Sequence, residues 1–203
     1  MSITFIIIAI TIVTSFIGFK NRLLCYKGMF NAYDIVQNKK YYKIVTHAFF
    51  HADTAHLIFN MLTLYFFGKI VEAYFGLIWQ NGNIIYIIFY LSAAIASSLP
   101  DLKKHKDNPD YNALGASGAI SAILFSAIMF YPTMRIYIFF IPIGIPAIIF
   151  APLYLIYCQW MAKKNVDNIG HSAHFWGAIY GILFTVLAYP KVIDHFLNLL
   201  GIR

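Results

Sequence analysis

Apolar residues along this chain fall into long runs separated by short polar stretches. A membrane-crossing helix needs roughly 20 mostly apolar residues, within about 17–25. Six runs are read as spans: Ile3–Phe19, about Ala55–Phe75, Ile84–Leu99, near Leu114 to the residue before Pro132, Ile136–Trp160, and about His171–Tyr189. The first lacks a basic leader and a small-residue cleavage site, which predicts a retained span. The fifth holds Pro142, Gly144, Pro146 and Pro152, which predict a kinked helix with freed carbonyls. Asn81-Gly82-Asn83 predicts a turn. Pro100 with Asp101–Asp110 predicts a polar loop, and a short tail follows the last span. The stretch from Lys20 to about Thr54 is polar but carries Leu23, Leu24, Met29, Phe30, Ile35, Phe49 and Phe50. A loop that apolar is expected to pack or to lie in the interface. The fold class is therefore all-α and polytopic, with residues 1–203 read as one transmembrane domain without repeats.

Composition narrows the classes further. The 203 residues are 61% hydrophobic and only 11% charged, whereas soluble domains are about a quarter charged. Too few charges exist to coat a soluble globule, so soluble, disordered and secreted-scaffold classes fall away. Two cysteines, Cys25 and Cys158, make no disulfide framework. The net charge of +7 sits in short clusters between apolar runs, as in membrane topology signals, and no nucleic-acid partner is expected. Six spans put the first, third and fifth loops on one side with eleven Lys/Arg, against Arg135, Lys191 and Arg203 on the other. The charge count alone puts the first loop in the cytoplasm.

Polar groups inside spans are functional candidates because burying them in lipid is costly. Three sets stand at span starts: His47, His51, His56 and Asn60; Gly115-Ala116-Ser117-Gly118; and His171-Ser172-Ala173-His174. The second, fourth and sixth spans enter from one side, so all three sets reach similar depth. Ser117 is a weak nucleophile that needs a base, and His174 can supply one if the fourth and sixth helices touch. Small residues at four-residue spacing, Gly118/Ala122/Ser126 and Ala173/Gly177/Gly181, allow such an approach. Unpaired N–H groups at the start of the fourth helix, Gly118 among them, can receive an oxyanion. His56 and Asn60, one helical turn apart, can add side-chain donors. Each motif alone also has a plainer reading. Gly-x-Ser-Gly is commonly a packing or turn motif, and a lone helix histidine is commonly a helix–helix hydrogen bond. His47 and His51 are read as structural, and His171 as a cap or loop residue.

Together, His47-Ala-Phe-Phe-His51 through His56-Leu-Ile-Phe-Asn60, Gly115-Ala-Ser117-Gly118 and Ala173-His174-Phe-Trp-Gly177-Ala-Ile-Tyr-Gly181 resemble the rhomboid family of intramembrane serine proteases. The resemblance implies Ser117 as nucleophile, His174 as base, and His56 and Asn60 as oxyanion partners. It implies a six-helix bundle, a half-buried, external first loop, and water reaching the site from the non-cytosolic side. Substrates would be single-span or polytopic membrane proteins, with no cofactor and no metal. Gly68 and Glu72 look like the family's structural Gly-x-x-x-Glu. Two positions depart: Tyr42-Lys43 stands where Trp-Arg is common, and Ser121 where many members carry a tyrosine that stacks on the base. The rival readings are an inactive rhomboid-like protein that binds membrane clients, and a metal-dependent enzyme or transporter using His47, His51, His56, His171 and His174. The second lacks a His-Glu-x-x-His motif. The small size suggests a bacterial inner membrane.

Overall fold

The computed structural model describes residues 2–137, 143–164, 166–167 and 169–203. It is mostly helical, and three helices are long and apolar enough to cross a membrane. They are α1 (Ile3–Lys20), the continuous helix 54–78, and α7 (Gly82–His105). The second comprises α5 (Thr54–Thr63), a π turn at Leu64–Gly68, and α6 (Lys69–Ile78). Between α1 and α5 lie three short helices, α2 (Arg22–Gly28), α3 (Ala32–Val36) and α4 (Lys43–Thr46). Beyond α7 come α8 (Ser117–Phe130), α9 (Ala147–Lys164), α10 (His171–Ala188) and α11 (Val192–Leu199). Two strand pairs complete the described residues. β1 (Phe30–Asn31) pairs with β2 (Asn112–Ala113), and β3 (Arg135–Tyr137) with β4 (Gly144–Pro146).

Several elements depart from the sequence pattern. The fifth apolar run does not begin as a helix. Its first residues form the β3–β4 hairpin, and α9 starts at Ala147, beyond Pro146; Pro142 lies outside the described residues. α7 runs through Pro100 to His105 instead of ending there. Pro100 leaves a carbonyl one turn back unpaired, and Ser97 and Ser98 just before it donate to the Ala94 and Ile95 carbonyls. The tail is α11, bent 111° from α10, and the His195 ring lies 2.8 Å from the Phe130 carbonyl, which closes the end of α8. Glu72 turns towards the start of α1. Its carboxylate accepts from Ser2 Oγ and from the Ile3 and Thr4 amides, so it satisfies the free N–H groups at the start of α1. Gly68, one turn earlier, leaves room for Tyr86, since a Cβ there would fall 2.6 Å from its hydroxyl.

α8 sits at the centre. All of its residues except Ser117 and Met129 are buried, and α10, α7 and α9 pack around it. Its fourteen residues rise about 21 Å, short of the ~30 Å hydrocarbon core. A helix that short does not cross a hydrocarbon core on its own.

The segment between α1 and α5 is folded rather than loose. Phe30, Ala32 and Ile35 form a small core with Ile44, Leu102, Tyr111 and Ala113 packed on it. Phe50 is wedged between Gly18 and Gly28, where a Cβ would come within 2.9 Å and 2.7 Å of its ring. Lys43 is almost fully buried, 1% exposed, and pairs with Asp34 at 2.9 Å, with Lys40 on the other oxygen. Burial by itself raises the Asp34 carboxyl. Hydrogen bonds from Asn38, Lys43 and Lys40 outweigh it and hold the group well below the usual carboxylate range. Removing one partner of a buried pair strands the other's charge. Asp34→Ala is therefore expected to cost about 3–5 kcal/mol by thermal unfolding in micelles. The double change Asp34→Leu with Lys43→Met should recover most of it; a double variant no better than the single one would show that the pair is not what matters.

Candidate active site

Two of the three polar sets are joined by the tightest backbone contact in the fold. The stripes Gly118/Ala122/Ser126 and Ala173/Gly177/Gly181 face each other across α8 and α10. A Cβ on Gly177 would collide with the Gly118 carbonyl, and one on Gly181 would fall 2.7 Å from Ala122 Cα. Thr185 extends the seam, its hydroxyl 2.7 Å from Ser126 Oγ. At the top of the seam Gly118 rests against the Ala173 carbonyl, 3.4 Å from an added Cβ, and against Ser97 of α7. The immediate neighbours of these contact residues are Ser117 and His174, which places the two at one level of adjacent helices. Both are half-buried. Among the described residues no hydrogen bond joins Ser117 Oγ to the His174 ring; catalytic hydrogen bonds commonly tighten only when substrate is bound.

The start of α8 is left open. Ala116 precedes it with no side-chain cap, and the first helical bond is donated by Ile120 to the Ala116 carbonyl. The amides of Ser117, Gly118 and Ala119 thus have no helical acceptor, and the helix dipole adds partial positive charge there. Gly115, just before, has φ +121°, a backbone that favours glycine. A Cβ there would also strike the His56 ring, 2.6 Å from Cε1. The close fit brings His56 beside the turn that leads into Ser117. Asn60, one turn further along α5, is buried with its Nδ2 unpartnered among the described residues. A buried donor left without a partner costs about 1–3 kcal/mol and suits a group that waits for a ligand.

The remaining histidines divide. His47 passes its carbonyl to the Gly115 amide at 3.0 Å, and its ring meets Phe30 edge-on; burial lowers its imidazole to about 4. His51 takes Ser15 Oγ at 2.9 Å on Nδ1 and supports His56 edge-on at 5.0 Å. Burial, helped by His56 charge, holds it down at about 3. Both rings are neutral at ordinary pH, as structural supports would be. His171 is more than the cap or loop residue expected: it is 4% exposed, bonded to Asp167, and 6.0 Å edge-on from the His174 ring. At the position lacking a tyrosine, Ser121 Oγ instead meets the Tyr154 hydroxyl of α9 at 2.9 Å. Tyr154 was not legible in sequence, because nothing in spacing ties α9 to that turn of α8. The same holds for Cys158, whose Sγ stands with the ring nitrogens of His171 and His174, all within 4.8 Å of one another.

Fold and site together define a polytopic helical membrane protein with a serine and a histidine at the starts of two packed helices. The sequence pattern described as the Rhomboid domain matches residues 38–191, and the chain belongs to the rhomboid family. It is 30% identical over 155 residues to the mitochondrial RHOMBOID-like protein 12 of Arabidopsis thaliana, covering 71% of this chain and 46% of that one. It is 27% identical over 157 residues to the rhomboid protease GluP of Bacillus subtilis (strain 168), covering 77% of this chain and 28% of that one. The chain thus spans less than half the length of these relatives. One relative is mitochondrial by name and the other bacterial, which singles out no one membrane, the bacterial inner membrane included.

Proposed function

We propose that the protein is an intramembrane serine endopeptidase with six crossings, cutting transmembrane segments of other membrane proteins. Ser117 is the nucleophile and His174 its general base, with no carboxylate third member. The oxyanion is received by the Gly118 amide with the His56 and Asn60 side chains. The observation that supports this reading is the close approach of Gly118 to Ala173 and Gly177, the chain neighbours of Ser117 and His174, at a helix start without a side-chain cap.

The chemistry follows from these groups. His174 takes the hydroxyl proton as Ser117 Oγ attacks the carbonyl carbon. The oxyanion forms in front of the open α8 amides, and His174 returns the proton to the leaving amine. Water then attacks the ester carbonyl with the same base, and the serine is released. A peptide bond inside a helix is shielded by its own hydrogen bonds, so the substrate has to unwind first. α9, with Pro152 inside it, is the gate that moves to admit the substrate.

The test is cleavage of a single-span reporter by purified protein in proteoliposomes, with fluorophosphonate labelling in parallel. Cleavage and labelling are both expected, and both should vanish in Ser117→Ala. Client binding without labelling of the wild type would establish the inactive reading instead, which the name of the Arabidopsis relative keeps open. Asn60→Ala should lower kcat/KM by about 10²–10³-fold with labelling retained but slowed; an unchanged rate would remove Asn60 from the oxyanion site.

A further inference from the structure

The site has a second face. On the side of His174 towards α9, Cys158, His171 and His174 converge, with one donor atom from each lying within 4.8 Å of the other two. Cys158 is a free thiol, 1% exposed. The His171 ring is 4% exposed, and its Nδ1 has no hydrogen-bond partner among the described residues. Its Nε2 lies 3.1 Å from the Asp167 carboxylate. A carboxylate accepts, so Nε2 carries the hydrogen and Nδ1 the lone pair. That nitrogen is itself buried and without a hydrogen-bond partner among the described residues.

A carboxylate behind a histidine, with the far nitrogen bare, is the arrangement that orients imidazoles on metal ions and raises their basicity. One sulfur and two imidazole nitrogens suit zinc, whose bonds of about 2.3 Å to sulfur and 2.0 Å to nitrogen set donors roughly 3.3–3.6 Å apart. The three side chains need to draw together by about 1 Å to meet that geometry. A small cleft that reaches His171 is lined by the carboxylates of Asp101 and Asp167 as well as by Lys104 and His105.

We propose that Cys158, His171 and His174 form a binding site for Zn²⁺, and that zinc there switches the protease off. The regulatory half rests on the reading of His174 as the base. An imidazole has one basic lone pair; held by zinc, it cannot take the Ser117 proton. Binding releases the Cys158 thiol proton, which goes to solvent or buffer. The fourth coordination position is left for water.

The site is tested with Co²⁺ as a visible stand-in and Zn²⁺ as competitor, on the whole protein in micelles. Wild type is expected to take up one equivalent of Co²⁺ with a thiolate-to-cobalt absorption band that Zn²⁺ abolishes. Cys158→Ser should lose the band while still cleaving the reporter, and should need at least about 10-fold more Zn²⁺ for half-inhibition. Asp167→Asn, a change at the exposed end of the loop, should weaken Zn²⁺ by about 10–100-fold and covers the case in which Cys158→Ser does not fold. Ser117→Ala should bind Co²⁺ as wild type does. Its band therefore reports on the metal site even if the chain proves not to be a protease. No band in wild type, or a band that survives Cys158→Ser, overturns the site. Zinc bound with cleavage undiminished overturns the switch.

Discussion

Replacing His174 with alanine is expected to lower reporter cleavage by about 10⁴–10⁶-fold. Ser117→Ala should do as much, and the double variant should be no worse than either single one. The reason is that, in the proposed mechanism, the serine and its base act as one unit. Without the imidazole the hydroxyl keeps its proton and attacks poorly; without the hydroxyl the imidazole has nothing to activate. Residual activity would come from the open α8 amides and from substrate binding. Neither change should unfold the protein. Ser117 and His174 are half-buried at helix starts, outside the seam of small residues that holds α8 to α10. The measurement is a single-turnover rate on each variant beside a thermal melt. A His174→Ala protein cleaving within tenfold of wild type would remove that residue from catalysis.

The second large effect is steric. Gly177→Val should abolish cleavage and lower the melting temperature. At Gly177 a β-carbon has no free position, because the Gly118 carbonyl occupies it. The helices can accept the new atoms only by moving apart or sliding, and overpacking of this kind costs about 1–3 kcal/mol. The same movement separates Ser117 from His174, so activity falls more than stability. Gly76→Ala serves as the control. It lies in α6 with nothing within 4 Å of the added carbon, and should leave cleavage intact and stability equal or slightly higher. If Gly177→Val melted and cleaved like wild type, the close approach of α8 and α10 would not be what positions the pair.

The chain shows where sequence patterns carry and where they stop. The first two helices and the start of the third were legible to within a few residues, because long apolar runs favour membrane-length helices. The facing stripes of α8 and α10 were legible from four-residue spacing, since only small side chains let helix backbones touch. Pro100 misled, because a proline near the end of a helix can be absorbed by neighbouring serine hydroxyls. The β3–β4 hairpin misled in the opposite direction. An apolar run rich in proline and glycine fits a kinked span or a hairpin equally well, and hydropathy does not separate them. Convergences of single side chains were out of reach. Lys43 stood out only as part of the Tyr42-Lys43 pair and Asp34 not at all, and neither their ion pair nor the meeting of Cys158 with two histidines could be read from spacing. The shared level of Ser117 and His174 could be anticipated only because two helices happened to start there.

Hydrolysis consumes one water molecule for every bond broken, and hydrocarbon tails hold almost none. The shortness of α8 bears on this supply. At the serine end the chain continues as the strand β2 and the Gly115 bend, whose backbone groups hydrogen-bond water better than hydrocarbon does. If the chain is the protease proposed above, that polar stretch is where the water it consumes would approach the hydroxyl.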